Sequence, residues 1–126
     1  MNVLLDTCAL LALARGDLPR PAAAALRSAR EANISVVSPW EVALKVSAGK
    51  LKLREPPIQW FLGLSERYDL RELPLDAHVA CAAADLPPIH RDPFDRVLVA
   101  LAQAHALTVL TSDENIGKYP GVKTLW

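Results

Sequence analysis

The chain is poor in cysteine, and Cys8 and Cys81 are too few for a disulfide framework. Both stand in apolar surroundings, DTCALLALA and HVACAAAD, and are expected to be small core residues in a reducing compartment. With two cysteines and three scattered histidines, His78, His90 and His105, a zinc cage is poorly supported. Charge of one sign is not in excess either. Fourteen Lys+Arg cancel 14 Asp+Glu, and the formal net charge is zero. That excludes a bulk polycation that coats nucleic acid by charge alone, but not a local basic patch. Long apolar runs are missing, since the longest runs only from Cys8 to Ala14, far short of a bilayer span. No signal peptide is visible, because the strand-like VLL near the start leads directly to an acid. A soluble, cytoplasmic protein with no membrane partner is expected. Internal repeats and linker-like stretches are also absent.

What is present reads as one globular domain over residues 1–126. Apolar residues make up 52% and charged residues 22%, an ordinary globular balance, and a chain of this length can build a core without staples. Val3–Leu5 reads as a short buried strand, with a helix from Thr7 to Ala14 broken at Arg15-Gly16-Asp17. Pro21 opens an Ala-rich helix to about Ala32, with Asn33 as its stop. Ile34–Val37 reads as a second strand, and Pro39–Ala48 as a helix closed by Gly49. A helix over Pro57–Leu64, a weak strand over Leu70–Leu75, and a helix capped by Asp76 through Ala84 follow. Pro93–His105 is the clearest helix, with strands at Thr108–Thr111 and Val122–Leu125. This alternation predicts an α/β sandwich with a mostly parallel sheet. The continuously apolar or β-branched strands suit burial on both faces. In such sheets ligands bind beyond the carboxyl ends of the strands.

Acids fall at those ends. Asp6 follows the first strand, Asp113 follows the TVLTS strand, Glu41 lies early in the helix after the second strand, and Asp92 and Asp95 bracket the start of Pro93–His105. Gathered carboxylates raise one another's pKa. A hard divalent cation such as Mg²⁺ or Mn²⁺ removes that penalty, and can activate water and neutralise charge on a phosphate. Each acid also has a plainer reading. Asp6 is a possible N-cap of Thr7–Ala14. Ser38-Pro39-Trp40-Glu41 matches a capping box, which leaves Glu41 evenly divided between cap and ligand. Asp92 is favoured as the N-cap ahead of Pro93, with Asp95 favoured as ligand. Asp113 is a possible cap for a turn over Glu114–Gly117.

The segments VLLDTCALLAL, SPWEVALKVSAGKLKL, HRDPFDRVLVALAQAHALTVLTSDENI and YPGVKTLW resemble, in order and over nearly the whole chain, those of PIN-domain ribonucleases. The nearest group is the VapC-like toxins of toxin–antitoxin pairs. The resemblance implies a PIN-like α/β/α sandwich, a Mg²⁺- or Mn²⁺-dependent endoribonuclease, a cognate antitoxin and a homodimer. It places the family's four acids, the metal ligands and catalytic set, on Asp6, Glu41, Asp95 and Asp113, and suggests products with a 5′-phosphate and a 3′-hydroxyl. Ile116 stands where the family commonly has an aromatic.

Basic and aromatic residues are less specific. Lys45 lies four residues past Glu41 on the same helix face, read evenly as a surface pair or as an RNA phosphate contact. Arg96 is expected to pair with an acid of the cluster, the alternative being a contact to RNA. The three histidines show no nucleophile–base spacing and are expected to be structural or surface residues. Trp60, Phe61, Leu62 and Leu64 crowd one short helix, and an exposed remainder of that helix would suit an antitoxin helix or the dimer. Two rival functions are a housekeeping RNA-processing nuclease without a toxin role and a Mg²⁺-binding signalling receiver module. The receiver is disfavoured because Asp6 lacks an adjacent acid.

Overall fold

Val3, Leu4 and Leu5 are completely buried. They form the middle of the sheet in the computed structural model, which describes residues 1–126. The chain runs β1 (Asn2–Leu5), α1 (Thr7–Arg15), α2 (Arg20–Ser28), β2 (Glu31–Ser35), α3 (Val37–Ser47) and α4 (Pro57–Arg67). It continues through β3 (Leu70–Leu73), α5 (Ala77–Asp85), α6 (Pro93–His105), β4 (Thr108–Leu110), a 3-10 turn (Ile116–Lys118) and β5 (Lys123–Leu125). The five strands lie in the order β3-β2-β1-β4-β5, and every neighbouring pair is parallel. The sheet is thus wholly parallel, and β1 sits at the point where the chain turns from building one half to building the other.

Pleating divides the apolar strand residues between two cores. Leu4 and Val109 face Val97, Leu98 and Leu101 of α6 and Val79 and Ala83 of α5. Val3, Leu5, Ile34 and Leu110 face Ala9, Leu10 and Leu13 of α1, Ala22 and Ala25 of α2, and Trp60, Phe61 and Leu64 of α4. Strands buried on both faces need apolar residues at successive positions, which explains the unbroken VLL and TVL runs. Ile116 lies fully inside the first core, so its departure from the family pattern is a packing detail. No helix is long and apolar enough to cross a membrane.

Several expected boundaries move. The Ala-rich helix ends at Ser28, and residues 31–35 form the strand, with Asn33 inside it. The Asn33 side-chain amide donates to the Val3 carbonyl at 3.0 Å, so a residue expected to stop a helix instead ties β2 to β1. Helix α3 begins at Val37, two residues before Pro39, and the Val37 N–H finds the Ser35 hydroxyl at 3.1 Å. Ser38 is therefore not a cap, and no capping box engages Glu41. Ser38 lies buried and accepts from the Thr7 hydroxyl at 3.1 Å. Both cysteines are exposed rather than in the core, and Cys8 lies beside the acids, its pKa raised by burial and then by Asp6, with Glu41 and Asp95 adding to the rise. On α4, Trp60 and Phe61 are core residues, and the exposed remainder is the stripe Ile58 and Leu62.

Candidate metal centre at the carboxyl ends of the strands

Asp6 leaves β1 directly into the first turn of α1. Its N–H reaches across to the Leu110 carbonyl of β4 at 3.2 Å, which holds it at the carboxyl end of the sheet between the two halves. There it caps α1, its Oδ1 accepting from the Ala9 N–H at 2.7 Å. Asp113 stands three residues past β4. Its N–H donates to the Thr111 hydroxyl, and its Oδ1 accepts from the Asn115 N–H at 2.9 Å, closing the turn that leads to Ile116.

Asp95 lies in the first turn of α6. Asp92 is the N-cap of that helix, its Oδ1 accepting from the Phe94 N–H at 2.9 Å, with Pro93 following. The cap reading of Asp92 therefore holds, and Asp95 is left to face the cluster. Glu41 comes from α3. Trp40, just before it, meets Phe94, just before Asp95, edge to face at a centroid distance of 5.1 Å, so the two helices carrying these acids are joined beside them.

The electrostatics record the crowding. Burial raises the Asp6 pKa, and the charges of Asp113 and Glu41 add to this, against hydrogen bonds from Thr111 and Ala9 that pull it down. Asp95 is pushed up to about 7, first by burial and then by Asp92, with Glu41 and Asp6 adding to the rise and His90 opposing it. Asp6, Glu41, Asp95 and Asp113 thus sense one another at one end of the sheet. Two of them are also held together by a residue expected to lie outside the site. His90 Nε2 is 2.7 Å from Asp113 Oδ2 and 3.1 Å from Asp95 Oδ2. One ligand atom from each of His90, Asp95 and Asp113 falls within 4.8 Å of the others. Asp6 and Glu41 lie outside that tight group, coupled to it through charge. The available signal for His90 was its place in HRDPFDR, two residues before the cap of α6.

Lys45 Nζ is 3.4 Å from Glu41 Oε2, the expected i,i+4 pair, and its side chain keeps 41% of its exposure. The other Glu41 oxygen, Oε1, is buried and has no hydrogen-bond partner. Buried polar atoms are nearly always satisfied, so this oxygen marks a position that suits a cation. Arg96 corrects the expectation of an acid pair. Its guanidinium donates to the carbonyls of Ala84, Leu86, Pro87 and His90 and meets no carboxylate. These bonds occupy the fork that an RNA contact would use. His78 and His105 are exposed, as expected of surface residues.

A cavity of about 730 Å³ lies elsewhere. It opens at the amino ends of the strands among Leu13, Leu26, Tyr68 and the arginines Arg27, Arg30 and Arg71. A smaller cavity of about 260 Å³ adjoins Asp113, between Thr111 and Trp126. Converging ionisable groups, rather than volume, mark the candidate site.

Known proteins show the family and the fold. The family model for the PIN domain matches residues 3–122. The chain is 28% identical over 112 residues to a curated Mycobacterium tuberculosis protein, ribonuclease VapC22, covering 86% of this chain and 85% of that one. Among solved structures it is similar to VapBC2 from Rickettsia felis bound to a DNA fragment from its promoter, with a TM-score of 0.71 at 16% identity, covering 99% of this chain and 98% of that one. It is also similar to a toxin–antitoxin complex from Klebsiella pneumoniae, with a TM-score of 0.67 at 22% identity, covering 95% and 94% of the two chains.

Proposed function

Because the chain belongs to the PIN domain family, we propose that it is a Mg²⁺- or Mn²⁺-dependent endoribonuclease, the toxin of a toxin–antitoxin pair, built as one domain over residues 1–126. The observation that carries this reading is the convergence of carboxylates on one end of a parallel sheet, two of them sharing His90. The cation is assigned to Asp6, Glu41, Asp95 and Asp113. The donor set is all oxygen, the choice of a hard ion, and the unpartnered Oε1 of Glu41 fits it. When bound, such a cation supplies activation of water and stabilisation of charge on the phosphate.

The chain's own residues do the rest. Asp95, with its pKa near 7, holds a proton near neutral pH that a cation would displace, so cation binding and proton release are coupled there. Lys45 stands at the rim of the cluster, partly exposed, and is assigned a phosphate contact. Arg96 is withdrawn from the RNA-binding set by its bonds to backbone carbonyls. The curated relative is a ribonuclease and the Klebsiella neighbour is a toxin–antitoxin complex. A cognate antitoxin is extended to this chain on that basis, and a homodimer and a cytoplasmic setting are proposed from the resemblance to the VapC-like toxins. The Ile58 and Leu62 stripe of α4 is available to either partner.

Incubating the purified protein with RNA in Mg²⁺, Mn²⁺ or EDTA tests the reaction. Cleavage that needs the cation, leaves 5′-phosphate ends and disappears in Asp95→Asn is expected. Cleavage that persists undiminished in EDTA would contradict it. Induced expression tests the toxin role: growth arrest relieved by a co-expressed antitoxin is expected, and normal growth would favour the housekeeping nuclease.

A further inference from the structure

The imidazole of His90 is the one group that touches two carboxylates of the cluster, and its protonation pattern is set by a neighbour. The Asp92 N–H donates to His90 Nδ1 at 3.1 Å. Nδ1 is therefore an acceptor, and in the neutral ring the proton sits on Nε2. That Nε2–H faces Asp113 Oδ2 at 2.7 Å and Asp95 Oδ2 at 3.1 Å. Ligation through Nε2 would require the proton to move to Nδ1, where the Asp92 N–H already points.

The backbone of His90 is held as well. Its amide N–H donates to the Tyr119 hydroxyl at 2.8 Å, and Tyr119 is buried. The His90 carbonyl accepts from Arg96 at 3.2 Å. The same guanidinium binds the carbonyls of Leu86 at 2.8 Å, Pro87 at 3.1 Å and Ala84 at 3.2 Å. A planar fork with several donors can bind a turn of backbone in this way, and an ammonium cannot. Residues 84–90 are thereby pinned to the first turn of α6, the turn that carries Asp95.

We propose that His90 is a positioning residue for this site: an Nε2–H donor, its backbone fixed by Arg96 and Tyr119, that sets the spacing of the Asp95 and Asp113 carboxylates for a divalent cation. The inference rests on the metal-nuclease reading above. One donor shared between the two side chains holds oxygens of Asp95 and Asp113 at a fixed separation. Groups that orient ligands rather than bind metal typically contribute about 10- to 100-fold in metal affinity.

The test is titration calorimetry with Mn²⁺ on the wild type, His90→Ala, His90→Gln and Tyr119→Phe, each first checked for a native circular dichroism spectrum, together with RNA cleavage at increasing Mn²⁺. His90→Ala should weaken Mn²⁺ binding by about 10- to 100-fold, and its cleavage should recover toward the wild-type rate as Mn²⁺ is raised. His90→Gln, whose amide nitrogen can take the place of Nε2–H, should restore most of the affinity. Tyr119→Phe keeps the packed ring but removes the hydroxyl, and should weaken binding in the same direction by less. A wild type that binds Mn²⁺ and cuts RNA, with His90→Ala binding as tightly or more tightly, overturns this inference alone. His90→Gln as weak as His90→Ala, with cleavage that high Mn²⁺ does not recover, overturns it in favour of a direct ligand. A wild type that neither binds Mn²⁺ nor cuts RNA removes the nuclease reading and this inference with it.

Discussion

The two ends of the sheet carry opposite kinds of concavity. At the amino ends a cavity of about 730 Å³ is lined by apolar residues and rimmed by Arg27, Arg30 and Arg71, with Arg71 paired to Glu31 in an exposed salt bridge. At the carboxyl ends the space is smaller, but the buried Asp6 and half-buried carboxylates press on one another, and Glu41 keeps an oxygen with no partner. The arginines of the first arrangement are all exposed to solvent. The second is held together against repulsion, by Asp6 capping α1, Asp113 closing a turn, and His90 linking Asp113 to Asp95. Stored repulsion that a cation would relieve is the mark of a site, and room alone is not.

The contrast breaks most visibly if the wrong end is chemically active. Asp95→Asn should lower cleavage at least ~100-fold, the scale of losing a cation's several kcal/mol of charge stabilisation. Arg30→Ala at the other end should leave the rate unchanged. Rate assays on the two variants check this, and equal losses would erase the distinction between the ends.

The next effect is on stability against pH without metal. Folded Asp95 keeps its proton up to about 7, against an ordinary value of 3.8. Between those values the folded state binds more protons than the unfolded one, so stability present in acid is lost as pH rises through this window. Urea unfolding in EDTA should show this loss at pH 8 relative to pH 5. Asp95 supplies on the order of 2 kcal/mol of it, once screening of the partly exposed carboxyl is allowed for. The buried Asp6 acts in the same direction. Asp95→Asn should flatten the profile, and its metal-free stability at pH 8 should equal or exceed that of the wild type. A profile as steep as the wild type's would place the strain elsewhere.

Arg96→Ala should cost about 2 kcal/mol in the same unfolding experiment, since four carbonyls lose their donor. A negligible cost would mean that the 84–90 segment is held by other contacts. The smallest effect is expected from Asp92→Asn, within a few tenths of a kcal/mol, because Asn caps as well as Asp. A loss of cleavage matching that of Asp95→Asn would instead assign Asp92 to the cation.

The architecture and the gathering of four acids at one end of the sheet were more legible in the sequence than the surroundings of those acids. Helix α6 falls at Pro93–His105 as expected, because Pro93, the Asp92 cap and the apolar periodicity are all local signals. Strand β2 was displaced because Asn33 has its partner in β1, thirty residues away. The capping box at Ser38 failed for a similar reason: the Ser38 hydroxyl is taken by Thr7, and Ser35 serves the start of the helix. His90 escaped notice because its role depends on Asp95, Asp113 and Tyr119 meeting around it, which no spacing in the chain reveals. Arg96 beside Asp95 suggested an ion pair, yet successive helix positions face different ways, and its fork points back to the preceding loop.

Paramagnetic Mn²⁺ tests the central claim most directly, because it broadens the amide signals of nearby residues. Added in small amounts to ¹⁵N-labelled protein, it should selectively erase signals around Asp6, Glu41, Asp95 and Asp113 while leaving those of Arg30, Asp69 and Arg71 intact. Broadening centred on the amino-end cavity, or spread evenly over the surface acids, would contradict a cation site at the carboxyl ends of the strands.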